Sequence, residues 1–247
     1  MVKKRFLPVS VLFMCVALIF ALNATAGDQT PNEVLKKLQD GNNRYLNGDG
    51  KFPNLSQARR TETAVNGQHP YATVIACSDS RVPVELIFDA GIGDIFVIRV
   101  AGNVADVDEI GSIEYGIDHL ETPVLVVLGH THCGAVTAVV QNAQVHGSIP
   151  QLVDNIIPAV DRVKKDHPEM SGEAVIAEAV KQNVWQTIHD LLRNSAAARE
   201  RVHNGSLKIV GAIYDIASGR VDWLEPFTDH EWILSGIKET TDQENHH

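Results

Sequence analysis

The chain has 247 residues, 44% of them hydrophobic and 21% charged, which is enough apolar material for a core without disulfide staples and fits one domain or two small ones. Its formal net charge of −10 argues against nucleic acid or an anionic membrane surface as a partner.

The first residues read as a targeting segment. Lys3, Lys4 and Arg5 precede an apolar run from Phe6 to Leu22, interrupted by Pro8 and Ser10, and small residues follow at Ala24 and Ala26. A positive start, a short apolar stretch and a small-x-small site predict a secretory signal peptide, residues 1–26, rather than a membrane anchor. Cys15 follows Met14, not the small residue expected before a lipid-anchor cysteine. Residues 27–247 are then the mature domain, exported and periplasmic, with no membrane contact after cleavage. Cleavage deletes three positive charges and no negative ones, so the formal charge moves from −10 to −13. It leaves two cysteines, Cys77 and Cys133, which in an exported protein form a disulfide by default.

Thr30-Pro31-Asn32-Glu33 predicts a helix start, with Thr30 as cap, Pro31 in the first turn and Glu33 closing a capping box. The helix is expected to run to about Asn47 and stop in Gly48-Asp49-Gly50. A short helix is expected near Ser56–Val65. Three apolar runs bounded by turns follow: Tyr71–Ala76, Ile95–Ile98 and Val124–Leu128. Runs apolar on both faces predict buried parallel strands covered by helices. Helices are expected between them at Val84–Phe88 and Asp108–Leu120, and from about Cys133 to Asn142. Ile149 to about His203 reads as mainly helical, with breaks near Pro168 and Gly172. Two last strands, Leu207–Tyr214 and Arg220–Leu224, are separated by so short a turn that they must pair antiparallel at the sheet edge. The expected fold is α/β, a central mostly parallel sheet flanked by helices, with an antiparallel edge strand.

Cys77-Ser78-Asp79-Ser80-Arg81 comes directly after the first predicted strand, and Gly129-His130-Thr131-His132-Cys133-Gly134 directly after the third. Ligands of open α/β sheets bind beyond the carboxyl ends of the strands, where both clusters fall. Zinc favours thiolate and imidazole donors, and three of them with an open fourth position mark a catalytic rather than a structural ion. Cys77, His130 and Cys133 supply three, and zinc would keep the two thiols from pairing. Taken singly the pieces are weak. A cysteine after a buried strand is usually a small core residue, and Asp79 with Arg81 could be a surface ion pair.

Together, Cys-Ser-Asp-Ser-Arg and Gly-His-x-x-Cys-Gly resemble the signature of the β-class carbonic anhydrases. Arg81-Val-Pro83, Gly93–Arg99, Ala101-Gly-Asn103, Ser112–Tyr115 and Gly211–Asp215 also look like that family, so the likeness extends from about Leu35 to Leu224. The resemblance implies zinc-dependent, reversible hydration of carbon dioxide to bicarbonate and a proton, and a homodimer or a tetramer of dimers with N-terminal helical arms embracing the partner. It implies that Gln68 gives a substrate hydrogen bond. Phe96, Ala101 and Tyr115 match pocket positions, some supplied by the partner subunit, and the Gly134 N–H faces substrate. It gives Asp79 two alternative roles: accepting a hydrogen bond at the nucleophile while Arg81 holds it ionised, or swinging onto zinc as a fourth ligand in a closed form. One subgroup stabilises the closed form with bicarbonate beside a Trp, an Arg and a Tyr. Arg99 and Tyr214 match two of those positions, but Val74 stands where the Trp would be, so an open form is expected. The pattern selects His130 over His132 as ligand. His69 is one candidate proton carrier. Three rivals stand beside this reading: a carbon disulfide or carbonyl sulfide hydrolase on the same scaffold, a non-catalytic zinc-binding protein, and a domain stapled by a Cys77–Cys133 disulfide.

Overall fold

The computed structural model describes residues 29–233. The signal-peptide reading and Cys15 lie outside the described residues. Helix α1 (Pro31–Asn47) begins as its sequence requires: Thr30 Oγ1 accepts from the Glu33 N–H, and Glu33 reaches back to the Thr30 N–H. It ends on Gly48 in the left-handed conformation (φ 72°), which a glycine adopts without steric cost. Helix α2 (Gln57–Asn66), capped by Ser56, buries none of its residues.

Strand β1 (Ala72–Ala76), the single turn α3 (Val84–Ile87) and strand β2 (Ile95–Arg99) follow. Helix α4 (Val107–Glu114) continues into a π-helical turn at Tyr115–His119. The sequence predicted one regular helix here. The widening occurs where Gly116 presses against the Thr73 side chain, where a Cβ would collide, and where Thr122 donates to the Gly116 carbonyl. Strand β3 (Val124–His130) is longer than predicted, so His130 is its last residue rather than part of the following loop.

The return path comprises α5 (Gly134–Val140), α6 (Ile149–Asp154), α7 (Ile157–Asp166), α8 (Glu173–Asn194) and α9 (Ala196–His203). Strands β4 (Lys208–Tyr214) and β5 (Val221–Trp223) close the fold. The sheet order is β2-β1-β3-β4-β5, with the first four strands parallel and β5 antiparallel to β4.

Strand residues alternate between two apolar layers, as the two-residue period dictates. Ala72, Val74 and Ala76 of β1 and Val124, Val126 and Leu128 of β3 face α1 through Val34 and Leu38. Ile75, Leu125, Val127 and Ile209 face α4 and α8 with Ile113, Trp185 and Ile188. Close approach of α8 to the sheet depends on two glycines. A Cβ at Gly129 would come within 2.8 Å of Val184, and one at Gly211 within 3.1 Å of Trp185. This packing sets α8 beside the carboxyl ends of β1 and β3, where both sequence motifs emerge.

Candidate active site

Cys77 follows β1, His130 ends β3 and Cys133 precedes α5. All three are buried. Parallel pairing of β1 with β3 brings the two motifs together, and the two sulfurs and an imidazole nitrogen all lie within 4.8 Å of one another. His132 makes the tight turn possible by adopting φ 56°, which sends its own side chain outward. There it lies 4.0 Å from Glu173, so it does not join the donor cluster.

The His130 ring is oriented by its neighbour. Nδ1 lies 2.9 Å from the Thr131 carbonyl, so Nδ1 carries the proton and donates it. Nε2 is thereby left with a lone pair, buried and without a hydrogen-bond partner among the described residues. An imidazole held this way is a typical arrangement for a metal ligand. Cys77 and Cys133 are free thiols, which sets aside the disulfide reading. Hydrogen bonding with Cys133, opposed by burial and helped by His130 and the N–H groups of Gly102 and Asp79, lowers the Cys77 thiol to about 4. The same contact, together with burial, pushes Cys133 up. The contact thus drives the two thiols apart in acidity, and a cation bound by both sulfurs would displace the protons they carry. Two soft sulfurs and one aimed imidazole nitrogen fit a zinc-type ion.

Asp79 and Arg81 are paired by two parallel bonds, Nε to Oδ1 at 2.9 Å and Nη2 to Oδ2 at 2.7 Å, with a third bond from the Arg81 N–H to Oδ1 at 2.9 Å. These bonds, against a smaller cost of burial, hold the Asp79 carboxyl well below the usual carboxylate range. Asp79 Oδ2 lies 4.0 Å from His130 Nε2, so the carboxylate sits beside the donor cluster while bound to Arg81. This is the arrangement that the resemblance associates with the open form. Val74 is buried in the α1-side layer, and the Tyr214 hydroxyl lies 3.5 Å from that of Tyr45.

The remaining site residues divide into two groups. Ala101, half-buried, opens the turn whose Gly102 N–H donates to Cys77 Sγ at 3.3 Å, and Gly134, exposed, is the first residue of α5. Phe96 and Tyr115 form a separate patch with ring centroids 5.7 Å apart. Phe96 is level with Thr73, four residues before Cys77, or about 13 Å along the strand. Gln68 is exposed in the loop between α2 and β1, beside the equally exposed His69.

Sequence reasoning missed two contributors, Asn183 and Thr187, and gave a third, Arg99, only as a match to a bicarbonate-site position. Arg99 donates to the Cys77 carbonyl (3.2 Å) and the Asp79 carbonyl (2.6 Å), clamping the motif loop. Asn183 and Thr187, buried on α8, donate to the Gly102 and Asn103 carbonyls. Their signal was available: two polar side chains four residues apart on an otherwise apolar helix face.

A family model described as carbonic anhydrase matches residues 72–221. Carbonic anhydrase 2 of Mycobacterium tuberculosis is 39% identical over 195 residues, covering 77% of this chain and 91% of its own. A carbonic anhydrase of Mycolicibacterium smegmatis is 36% identical, covering 79% and 94%. Among solved structures, the β-carbonic anhydrase CcaA superposes with a TM-score of 0.62 at 31% identity, covering 78% of this chain and 99% of that one.

Proposed function

The chain belongs to the β-class carbonic anhydrases, a lyase family, and from that premise we propose that Cys77, His130 and Cys133 hold zinc and that Asp79 and Arg81 act beside it in the hydration of carbon dioxide to bicarbonate and a proton. The observation that carries the assignment is the three-donor cluster with the Asp79–Arg81 pair against His130 Nε2. When bound, zinc supplies Lewis acidity that brings the pKa of water to about 7, so that a nucleophile is available near neutrality.

Every other part of the chemistry falls to the chain. Asp79, kept ionised by Arg81, has only acceptor oxygens. It accepts a hydrogen bond from the attacking oxygen and turns that atom's lone pair toward carbon dioxide. Arg99 fixes the backbone on which Cys77 and Asp79 ride. The Gly134 N–H and Gln68 orient substrate oxygens, and Phe96, Ala101 and Tyr115 supply apolar walls. The released proton leaves to solvent or buffer.

The distance between the Phe96–Tyr115 patch and the donors of the same protomer supports a site completed by a second copy. So do the apolar surfaces a lone protomer exposes. Phe52 is 62% exposed, Val65 78% and Tyr115 44%, and α2 buries nothing of its own. Such surfaces ordinarily mark an interaction face. We therefore read the protein as a homodimer or tetramer of dimers, with the helical arm laid on its partner. Export through residues 1–26 is part of the same proposal, and a mature N-terminus at Gly27 is its expected mark by mass spectrometry.

Stopped-flow hydration of carbon dioxide by zinc-loaded protein tests the reading. A rate well above buffer is expected. A zinc-loaded protein no faster than buffer would overturn it. If it then hydrolysed carbon disulfide or carbonyl sulfide, the rival hydrolase would hold, and if it did neither, the zinc-binding rival.

A further inference from the structure

We propose that Asn183 and Thr187 are positioning residues for the metal site, acting on Cys77 Sγ through the Ala101–Asn103 turn. The proposal rests on the reading of Cys77 as a metal ligand.

The turn is built from two successive left-handed residues, Gly102 (φ 75°) and Asn103 (φ 47°). That conformation points the Gly102 N–H at Cys77 Sγ, 3.3 Å away, and sends the carbonyls of both residues toward α8. Asn183 Nδ2 donates to the Gly102 carbonyl at 2.7 Å, and Thr187 Oγ1 lies 2.9 Å from both the Asn103 carbonyl and the Asn183 carbonyl of its own helix, dividing its one proton between them. The two side chains are four residues apart and so share one face of the helix. They are 1% and 2% exposed, in the midst of Val184, Trp185 and Ile188. The turn has little space on its other side, where a Cβ at Gly102 would come within 2.7 Å of Ile156 and 3.3 Å of Ala135.

The pair contributes to stability, because an apolar pair of the same volume would leave the Gly102 and Asn103 carbonyls buried without these donors, although Asn183 itself keeps its Oδ1 buried without a partner among the described residues. What the polar pair adds beyond stability is orientation. It fixes the two peptides that follow the Gly102 N–H, and so the turn that aims that N–H at the sulfur. The N–H···S bond holds the sulfur in its ligating position and lowers the energy of its lone pairs. Losing it frees the sulfur to leave the metal and moves its charge transfer to longer wavelength. Outer hydrogen bonds of this kind govern how strongly a ligand holds its ion.

The test uses Thr187→Val, which keeps the volume and removes the hydroxyl, and Asn183→Leu, which removes the amide. Two quantities are read on the full-length protein: the rate at which zinc passes to a chelator, and the sulfur-to-metal charge-transfer band after cobalt(II) replaces zinc. Each variant is expected to release zinc about 10-fold faster and to shift the band to longer wavelength. Thr187→Ser is expected to restore both. Ser195→Ala, which breaks the 2.6 Å bond to Glu114 at the far end of α8, controls for stability and is expected to lower melting temperature without moving either readout. Thr187→Val with unchanged release and an unchanged band would overturn the proposal, whether or not Asn183→Leu folds. Equal effects from Ser195→Ala would overturn it too. Neither readout depends on turnover. A wild-type protein that binds zinc but hydrates no carbon dioxide would sink the proposed function and leave this inference standing.

Discussion

Arg99 reaches from the last position of β2 to the backbone of Asp79, placing Nη2 2.6 Å from its carbonyl oxygen while Nε takes the Cys77 carbonyl at 3.2 Å. One guanidinium thus spans the segment that carries both a metal donor and the acidic residue beside it. The planar fork suits this task, because its donors diverge at a fixed angle that an ammonium cannot reproduce. Replacing Arg99 with Met keeps the aliphatic stem and removes the fork. We expect zinc affinity to fall about 10-fold and the hydration rate to fall with it. Competition with a chromophoric chelator measures the first, and an unchanged affinity would show that the clamp is dispensable.

Asp79→Asn separates metal binding from chemistry. The amide keeps the shape but loses the charge that pairs with Arg81 and half of the acceptor capacity. Zinc content is expected to stay at one per chain while the hydration rate drops on the order of 100-fold. A variant as fast as the wild type would remove Asp79 from the mechanism.

Asp89 carries a comparable burden for stability, far from the chemistry. Its buried carboxylate accepts from Arg44 Nε at 2.6 Å and from the N–H groups of Lys51 and Phe52 at 2.9 Å, tying α1 to the loop that follows it. Burial alone would raise its pKa, but Arg44 and the two N–H groups outweigh burial and lower it. A group whose pKa is lowered by folding stabilises the protein above its unfolded pKa, about 3.9, and that contribution is lost as pH falls through the folded value. Asp89→Asn is expected to cost about 2–4 kcal/mol at neutral pH, from the broken pair and the buried donors left imperfectly matched. Urea unfolding should show the gap between wild type and variant narrowing below about pH 4. A gap independent of pH would mean that the ionised form is not what matters.

Removing the metal is expected to free two thiols at once. Cys77 and Cys133 are both buried, but they lie where the motif loops meet solvent through Asp79 and His132. Chelator-treated mature protein, which no longer carries Cys15, should consume two equivalents of a thiol reagent, zinc-loaded protein far less. Melting temperature should rise with free zinc concentration, as binding to the folded state alone requires. If fresh protein showed no titratable thiol with or without metal, a disulfide would be the better account.

Much of this molecule was legible before folding was considered. Thr30, Glu33 and Gly48 mark the ends of α1 through contacts within a few residues, so local sequence was sufficient. The strands declared themselves because a sheet covered on both faces requires unbroken apolar runs, and the position of Cys77 after one run and His130 at the end of another placed the donors at one rim. Where the reading erred, tertiary contact was the cause. The tail of α4 widened to seat Gly116 on Thr73, and β3 extended to His130 because β4 supplied partners that far.

The sequence by itself determined the donor set, the acid–arginine pair and the parallel sheet, because each rests on residue type, short spacing or the period of a strand. Only the tertiary structure decided that the thiols face an imidazole nitrogen, that Arg99 holds backbone carbonyls, and that Asn183 and Thr187 reach a turn some eighty residues away. The physical reason is the range of the interactions. Propensity and periodicity act over a few residues, whereas a hydrogen bond is met only when two distant segments come within about 3 Å, and packing at Gly129 and Gly211 set that approach.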